Sequence, residues 1–271
     1  MATFMFEERE IYYEDHGAGK PLLVLNGIFM SCASWEKFVP AFSRQCRLLL
    51  LDFFDQGKTA KREADYSQAE QVALVDAFLR HMGLKSCSII GISYGGEIAM
   101  QFASAYPEKV DKLILSNTAA YTSDWLRDIG HSWEYACNSH DGKQFFKTCI
   151  PIVYSPAFYT KHYTWASARE ALFERVFTPA IYDAFARLIR SAEAYDVREK
   201  LSAITAETLV ISAEHDYVTP LYQQREIVAS IPNAAHAMIM DAGHAVMYEK
   251  PAEFISLVLG FVSNDTDLTL V

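Results

Sequence analysis

No apolar run in this 271-residue chain reaches the roughly 18 residues that a membrane-spanning helix needs, so no membrane span is expected. Basic charge is scarce as well: 24 Lys and Arg stand against 34 Asp and Glu, a formal net charge of −10. Nucleic acid and anionic membrane both demand concentrated Lys and Arg, so neither is expected as a partner. The cysteines (Cys32, Cys46, Cys87, Cys137 and Cys149) are an odd five without a CxxC pair. That excludes a disulfide framework and favours reduced, mostly buried thiols in a cytoplasmic protein. The first residues, "MATFMFEEREIYYEDHG", are too acidic and too poor in apolar core for a signal peptide, which again points to the cytoplasm. Repeats and low-complexity tracts are missing, which excludes a solenoid and argues against disorder.

Cofactor motifs are equally thin. There is no GxGxxG, and His, Cys, Asp and Glu show no metal-ligand spacing, so neither cofactor nor metal is implied. "GAGKP" (17–21) has the look of a phosphate loop. But Glu14 stands at the first glycine position of that pattern and Pro21 follows the lysine, so a hairpin turn is expected instead.

What the chain does contain is apolar strand. "PLLVLNG" (21–27), "CRLLLLDF" (46–53), "CSIIGIS" (87–93), "KLILSNT" (112–118), "ETLVISAE" (207–214) and "HAMIMDAG" (236–243) are short apolar runs bounded by turn residues. Without polar alternation they read as strands covered on both faces, as in a parallel sheet flanked by helices. Helical periodicity lies between them, in "SQAEQVALVDAFLRHMG" (67–83), "YGGEIAMQFASAYPEKV" (94–110) and "PAEFISLVLGFV" (251–262). Alternating strand and helix gives an α/β class. Residues 120–205 break the rhythm: they hold no convincing strand, many aromatics and an amphipathic "DAFARLIRSAEAYDV". They are expected to form a mostly helical insertion over the C-terminal edge of the sheet, where open α/β folds bind ligands.

"GISYG" (91–95) fits the G-x-S-x-G pattern between strand and helix. A turn that tight forces Ser93 into an unfavourable backbone conformation, and crowding two positions either side admits only Gly91 and Gly95. A serine there needs a base, itself oriented by an acid. Among eight histidines, His244 follows the last apolar strand and precedes the last helix, with Gly243 permitting a loop. His16 and His81 read as turn and helix-end residues, His131, His140 and His162 fall in the insertion, and His215 and His236 flank strands without a suitable loop. For the acid, Asp216 in "ISAEHDYVTP" lies just past the preceding strand. Glu214 is expected to point sideways and Asp241 to be an exposed charge.

The order Ser93, Asp216, His244 matches the α/β-hydrolase arrangement. The chain resembles the α/β-hydrolase superfamily over nearly its whole length. "LLVLNG" followed by "SW" is similar to that family's oxyanion strand and loop, and "LDFFDQGKT" to its Asp-x-x-x-x-Gly-x-Ser/Thr segment, with Asp52, Gly57 and Thr59 in place. The resemblance implies an α/β-hydrolase core over 1–119 and 206–271 and a helical cap over 120–205. It also implies an oxyanion hole made by the backbone N–H groups of Ile28 and Tyr94. One departure is that Asn26-Gly27 stands where most of the family has His-Gly. A similar Asn-Gly occurs in relatives that transfer 3-hydroxyacyl groups from acyl carrier protein.

The expected function is hydrolysis of a carboxylic ester, thioester or lactone through an acyl-enzyme on Ser93. Apolar Phe29, Met30 and Trp125 near the elbow point to a small or medium apolar acyl group on a small-molecule substrate. Two alternatives use the same residues: acyl transfer to a hydroxyl or carrier-linked acceptor, and a ligand sensor on a hydrolase fold.

Overall fold

The leucine-, isoleucine- and valine-rich runs do build the sheet. The computed structural model describes residues 2–263; residue 1 and residues 264–271, both within the expected core, lie outside the described residues. Eight strands form one sheet: β1 (Ala2–Phe6), β2 (Arg9–His16), β3 (Pro21–Leu25), β4 (Arg47–Leu51), β5 (Cys87–Ile92), β6 (Val110–Ser116), β7 (Glu207–His215) and β8 (Ala234–Gly243). Their order is β1-β2-β4-β3-β5-β6-β7-β8. Only the β1–β2 and β2–β4 pairings are antiparallel; β4 through β8 run parallel.

The helices are α1 (Val39–Phe42), α2 (Gln68–His81), α3 (Tyr94–Ala105), α4 (Asp124–Asn138), α5 (Gly142–Cys149), α6 (Pro156–Lys161), α7 (Tyr163–Val176), α8 (Pro179–Ser191), α9 (Leu221–Ser230), α10 (Val246–Glu249) and α11 (Pro251–Ser263). Side chains alternate across each strand, so one run feeds two cores. Leu23, Leu25, Leu49, Leu51 and Ile89 join the core that includes Leu74, Phe78, Ile98 and Phe102 of α2 and α3. Leu22, Val24, Leu48, Leu50 and Ile90 join the opposite core, with Phe42 of α1 and Phe254 and Val258 of α11. Double coverage explains why these strands carry no polar alternation.

One element went unread, and two expectations need correction. The N-terminal residues form the β1–β2 hairpin, which apolar runs did not reveal because β1 is only five residues long and charged residues crowd both ends of β2. Its turn places Glu7 and Glu8 at φ +48° and +61°, a conformation usually announced by Asn or Gly. "GAGKP" is a turn but not a hairpin, because β4 lies between β2 and β3 in the sheet. Finally, β8 is an edge strand covered on one face only: Ile239 is buried in the core that holds α11, whereas Met238 and Met240 on the other face are 42% and 48% exposed.

Between β6 and β7 the chain inserts α4 to α8, a helical segment that spans Asp124–Ser191. It is tied to the sheet-bearing part by a bidentate Arg187–Asp55 ion pair, at 2.8 and 3.0 Å, and by a Tyr94–Ser191 hydroxyl contact at 2.8 Å. No helix among the described residues is long and apolar enough to cross a membrane.

Candidate active site

β5 ends at Ile92 and α3 begins at Tyr94, so the whole reversal falls on Ser93, at φ +50° and ψ −118°. Holding a non-glycine residue there costs about 1–3 kcal/mol, which surrounding bonds must offset. They do: the Ser93 amide donates to the Ser116 carbonyl at 2.9 Å. The Ser93 carbonyl accepts from the Gly96 amide (2.7 Å), the Glu97 amide (3.2 Å) and the Thr118 hydroxyl (2.8 Å). The neighbouring glycines are steric necessities. A Cβ on Gly91 would lie 2.6 Å from Gly96 Cα, and one on Gly95 would lie 2.1 Å from the Leu25 carbonyl oxygen. Gly96 is a third such position, 2.6 Å from Thr118.

Ser93 Oγ lies 2.9 Å from His244 Nε2, and His244 Nδ1 lies 3.0 and 2.9 Å from the two Asp216 oxygens. An ionised carboxylate only accepts, so Nδ1 carries the proton and Nε2 is left to accept from the serine hydroxyl. Asp216 is buried and saturated with donors. Oδ1 takes the Val218 and Thr219 amides, each at 2.9 Å. Oδ2 takes the Thr219 hydroxyl (2.8 Å) and the Gln224 amide group (3.2 Å). Glu214 is turned aside, accepting from the Asp241 amide at 3.0 Å.

The Ile28 and Tyr94 amides are aimed by their partner carbonyls. In a trans peptide the N–H points opposite to the C=O. The Gly27 carbonyl is held by Gln56 Nε2 (2.8 Å) and by the Met30 amide (3.0 Å). The Ser93 carbonyl is held by the three donors named above. Among the described residues neither the Ile28 nor the Tyr94 amide has a hydrogen-bond acceptor, and both residues line a cavity with Ser93. Asn26 faces away from that cavity. It is buried, donating to the Leu51 carbonyl (2.8 Å) and accepting from Trp35 Nε1 (2.8 Å). Asp52 braces the same loop by accepting from the Cys32 amide at 2.6 Å, while Thr59 donates to the Asp52 carbonyl at 2.7 Å.

Two cavities meet at Ser93. One, of about 60 Å³, runs past Ile28, Leu126, Ile129 and Val218 and reaches the buried Glu97. Burial pushes the Glu97 carboxyl up to about 8, against an opposing hydrogen bond from Gln68. The other cavity, of about 190 Å³, includes Phe29, Met30, Phe145, Tyr154, Phe173 and His244. Trp133 borders both. Trp125 does not reach either one. It is 51% exposed, and its indole donates to the Tyr217 carbonyl at 2.8 Å. The inward stripe of α4 is Leu126, Ile129 and Trp133, so Trp125 falls one position out of phase.

A family model described as the alpha/beta hydrolase fold matches residues 20–251. The chain belongs to the alpha/beta hydrolase family. It is 40% identical to MGS-M2, an alpha/beta hydrolase enzyme from a Medee basin deep-sea metagenome library, with all of both chains covered and a TM-score of 0.96. It is 26% identical over 254 residues to RutD of Azorhizobium caulinodans, provisionally named a carbamate hydrolase, covering 94% of this chain and 95% of that one. It is also 25% identical over 268 residues to the 2-hydroxy-6-oxo-6-(2'-aminophenyl)hexa-2,4-dienoic acid hydrolase of Metapseudomonas resinovorans, covering 96% and 90%. As in other alpha/beta hydrolases, the sheet here is mostly parallel and flanked by helices.

Sequence reading missed the residues that hold this site from behind: Gln56, Thr118 and Gln224. Thr118 stands just past the end of β6, where a polar side chain closing an apolar run was the available signal, whereas Gln224 lies within α9, where nothing local marks it. Gln56 sits within the "LDFFDQGKT" segment itself.

Proposed function

We propose that this alpha/beta hydrolase cleaves a carboxylic ester, thioester or lactone through an acyl-enzyme on Ser93. The observation that carries the reading is the hydrogen-bonded line from Ser93 through His244 to Asp216, beside two amides without an acceptor. Ser93 Oγ attacks the substrate carbonyl as His244 Nε2 takes its proton. Asp216 keeps the imidazole in the required tautomer and stabilises the imidazolium. The developing oxyanion accepts from the Ile28 and Tyr94 N–H groups, and losing one such donor typically lowers turnover by about 10²–10³-fold. His244 then protonates the leaving group, and afterwards activates the water that releases the acid. Residues 120–205 act as a cap over the elbow, and the enzyme works in the cytoplasm on a small-molecule substrate. Five free, buried cysteines support that location.

The larger cavity is of the order that admits a single six-membered ring, since an apolar cavity of about 150 Å³ takes up benzene. Arg169 lines it as well. Its guanidinium stacks on Trp165 at 4.8 Å, and among the described residues it forms no ion pair. That charge favours an acyl compound carrying a carboxylate, in keeping with the acid named for the Metapseudomonas resinovorans relative. The test is a panel of esters, thioesters and lactones, neutral and carboxylate-bearing, on wild type beside Ser93→Ala and Arg169→Met. Ser93→Ala loses all turnover above background, whereas Arg169→Met loses selectively on the anionic members. Turnover retained by Ser93→Ala sinks the reading.

A further inference from the structure

His244 lies on a short loop between β8 and α10, and what holds that loop comes from elsewhere. The Gly243 amide donates to Glu249 Oε1 at 3.0 Å, and the Gly243 carbonyl accepts from Asn117 Nδ2 at 3.4 Å. On the other side of His244, the Ala245 amide donates to the Val153 carbonyl at 2.7 Å. The Glu249 carboxylate also reaches the helical insertion. Oε1 accepts the Ser155 amide at 2.8 Å, and Oε2 accepts the Ser155 hydroxyl at 2.5 Å. The two backbones touch here, because a Cβ on Gly243 would lie 2.4 Å from the Ser155 nitrogen. Val153 and Tyr154 meanwhile line the larger cavity beside Ser93. One segment of the insertion therefore faces the substrate space with its side chains and grips the His244 loop with its backbone.

We propose that Glu249 is a positioning residue: by tying Gly243 to Ser155, it sets the aim of the His244 imidazole together with the seating of the insertion. This rests on the serine-hydrolase reading above. Three donors converge on one carboxylate, and bonds to an ionised acceptor are the stronger kind. The role is geometric rather than electrostatic at the reacting atoms. A glutamine side chain can reproduce it: its oxygen accepts both amides, and its NH₂ donates to the Ser155 hydroxyl, which can accept as readily as donate.

The experiment compares Glu249→Ala, Glu249→Gln and Ser155→Ala by steady-state kinetics, melting curves and ¹⁵N-histidine NMR. Misplacement of a reacting group by about 1 Å costs roughly 100-fold, so Glu249→Ala should lower kcat by about 30- to 100-fold while KM moves less than about 3-fold. Glu249→Gln should stay within about 3-fold of wild type, and Ser155→Ala should fall between them. The His244 ring signals should remain a single sharp set in wild type, Ser93→Ala and Glu249→Gln, and broaden in Glu249→Ala. A folded Glu249→Ala with wild-type kcat and sharp signals overturns the proposal, as does a folded Glu249→Gln as impaired as the alanine. If Glu249→Ala does not fold, Ser155→Ala decides: wild-type kcat and spectra there overturn it, and an intermediate loss supports it. The NMR comparison needs no turnover, so it judges Glu249 even if Ser93-dependent hydrolysis is not found.

Discussion

Asp216→Asn tests the tautomer argument with the smallest possible change in shape. Oδ1 faces two backbone amides at 2.9 Å, so the new carbonyl oxygen must occupy that position. The NH₂ then takes the place of Oδ2, 2.9 Å from His244 Nδ1. The Thr219 hydroxyl can reverse to accept from it. Gln224 gives up only its longer bond, 3.2 Å to Oδ2, and keeps its 2.6 Å bond to the Thr219 carbonyl. The substituted side chain therefore fits, but it donates to Nδ1. The proton moves to Nε2, which can no longer accept from Ser93 Oγ. Turnover should fall by about 10³–10⁴-fold, equivalent to about 4–5.5 kcal/mol of transition-state stabilisation. The assay is kcat and KM on the best substrate of the panel, with a melting curve to exclude unfolding and ¹⁵N shifts to read the tautomer. A folded variant within tenfold of wild-type kcat, or one whose Nδ1 remains protonated, refutes the reasoning.

Two further outcomes follow from residues behind the site. Gln56→Ala frees the Gly27 carbonyl from one of its two donors, so kcat should drop by about 10- to 100-fold, less than deletion of an oxyanion donor. Unchanged kcat in a folded Gln56→Ala variant would mean that the Met30 amide alone orients the peptide. Glu97, raised by burial to about 8 from an ordinary 4.5, holds its proton more tightly folded than unfolded. Its contribution to stability is complete below pH 4.5 and is lost as pH rises through about 8. In that window stability should decline by up to about 1.4 kcal/mol per pH unit. Glu97→Gln should flatten that decline in urea unfolding between pH 5 and 8.5; an unchanged slope would show that another group governs it.

How much of this was legible in the sequence depended on whether a residue's role is local. β3 to β7 could be read because their two covered faces impose continuous apolar runs. Ser93, Asp216 and His244 could be ordered because each sits at a strand end, and the elbow glycines because crowding there excludes a Cβ. β1 and β2 could not, since β1 is short, charged residues crowd both ends of β2, and their turn lacks the usual glycine. β8 has the same apolar composition as the inner strands but lies at the sheet edge, a matter of neighbours rather than of its own residues. Trp125 was misjudged by one helical position. Gln56 and Glu249 act through partners 29 and 94 residues away, a separation no local pattern records.

The central claim is a covalent acyl intermediate on Ser93, and rapid-quench mass spectrometry of the protein with an activated ester tests it most directly. The account predicts a mass increase equal to the acyl group, confined to the peptide containing Ser93, decaying at the turnover rate and absent in Ser93→Ala. Turnover without any adduct, undiminished in Ser93→Ala, would contradict it.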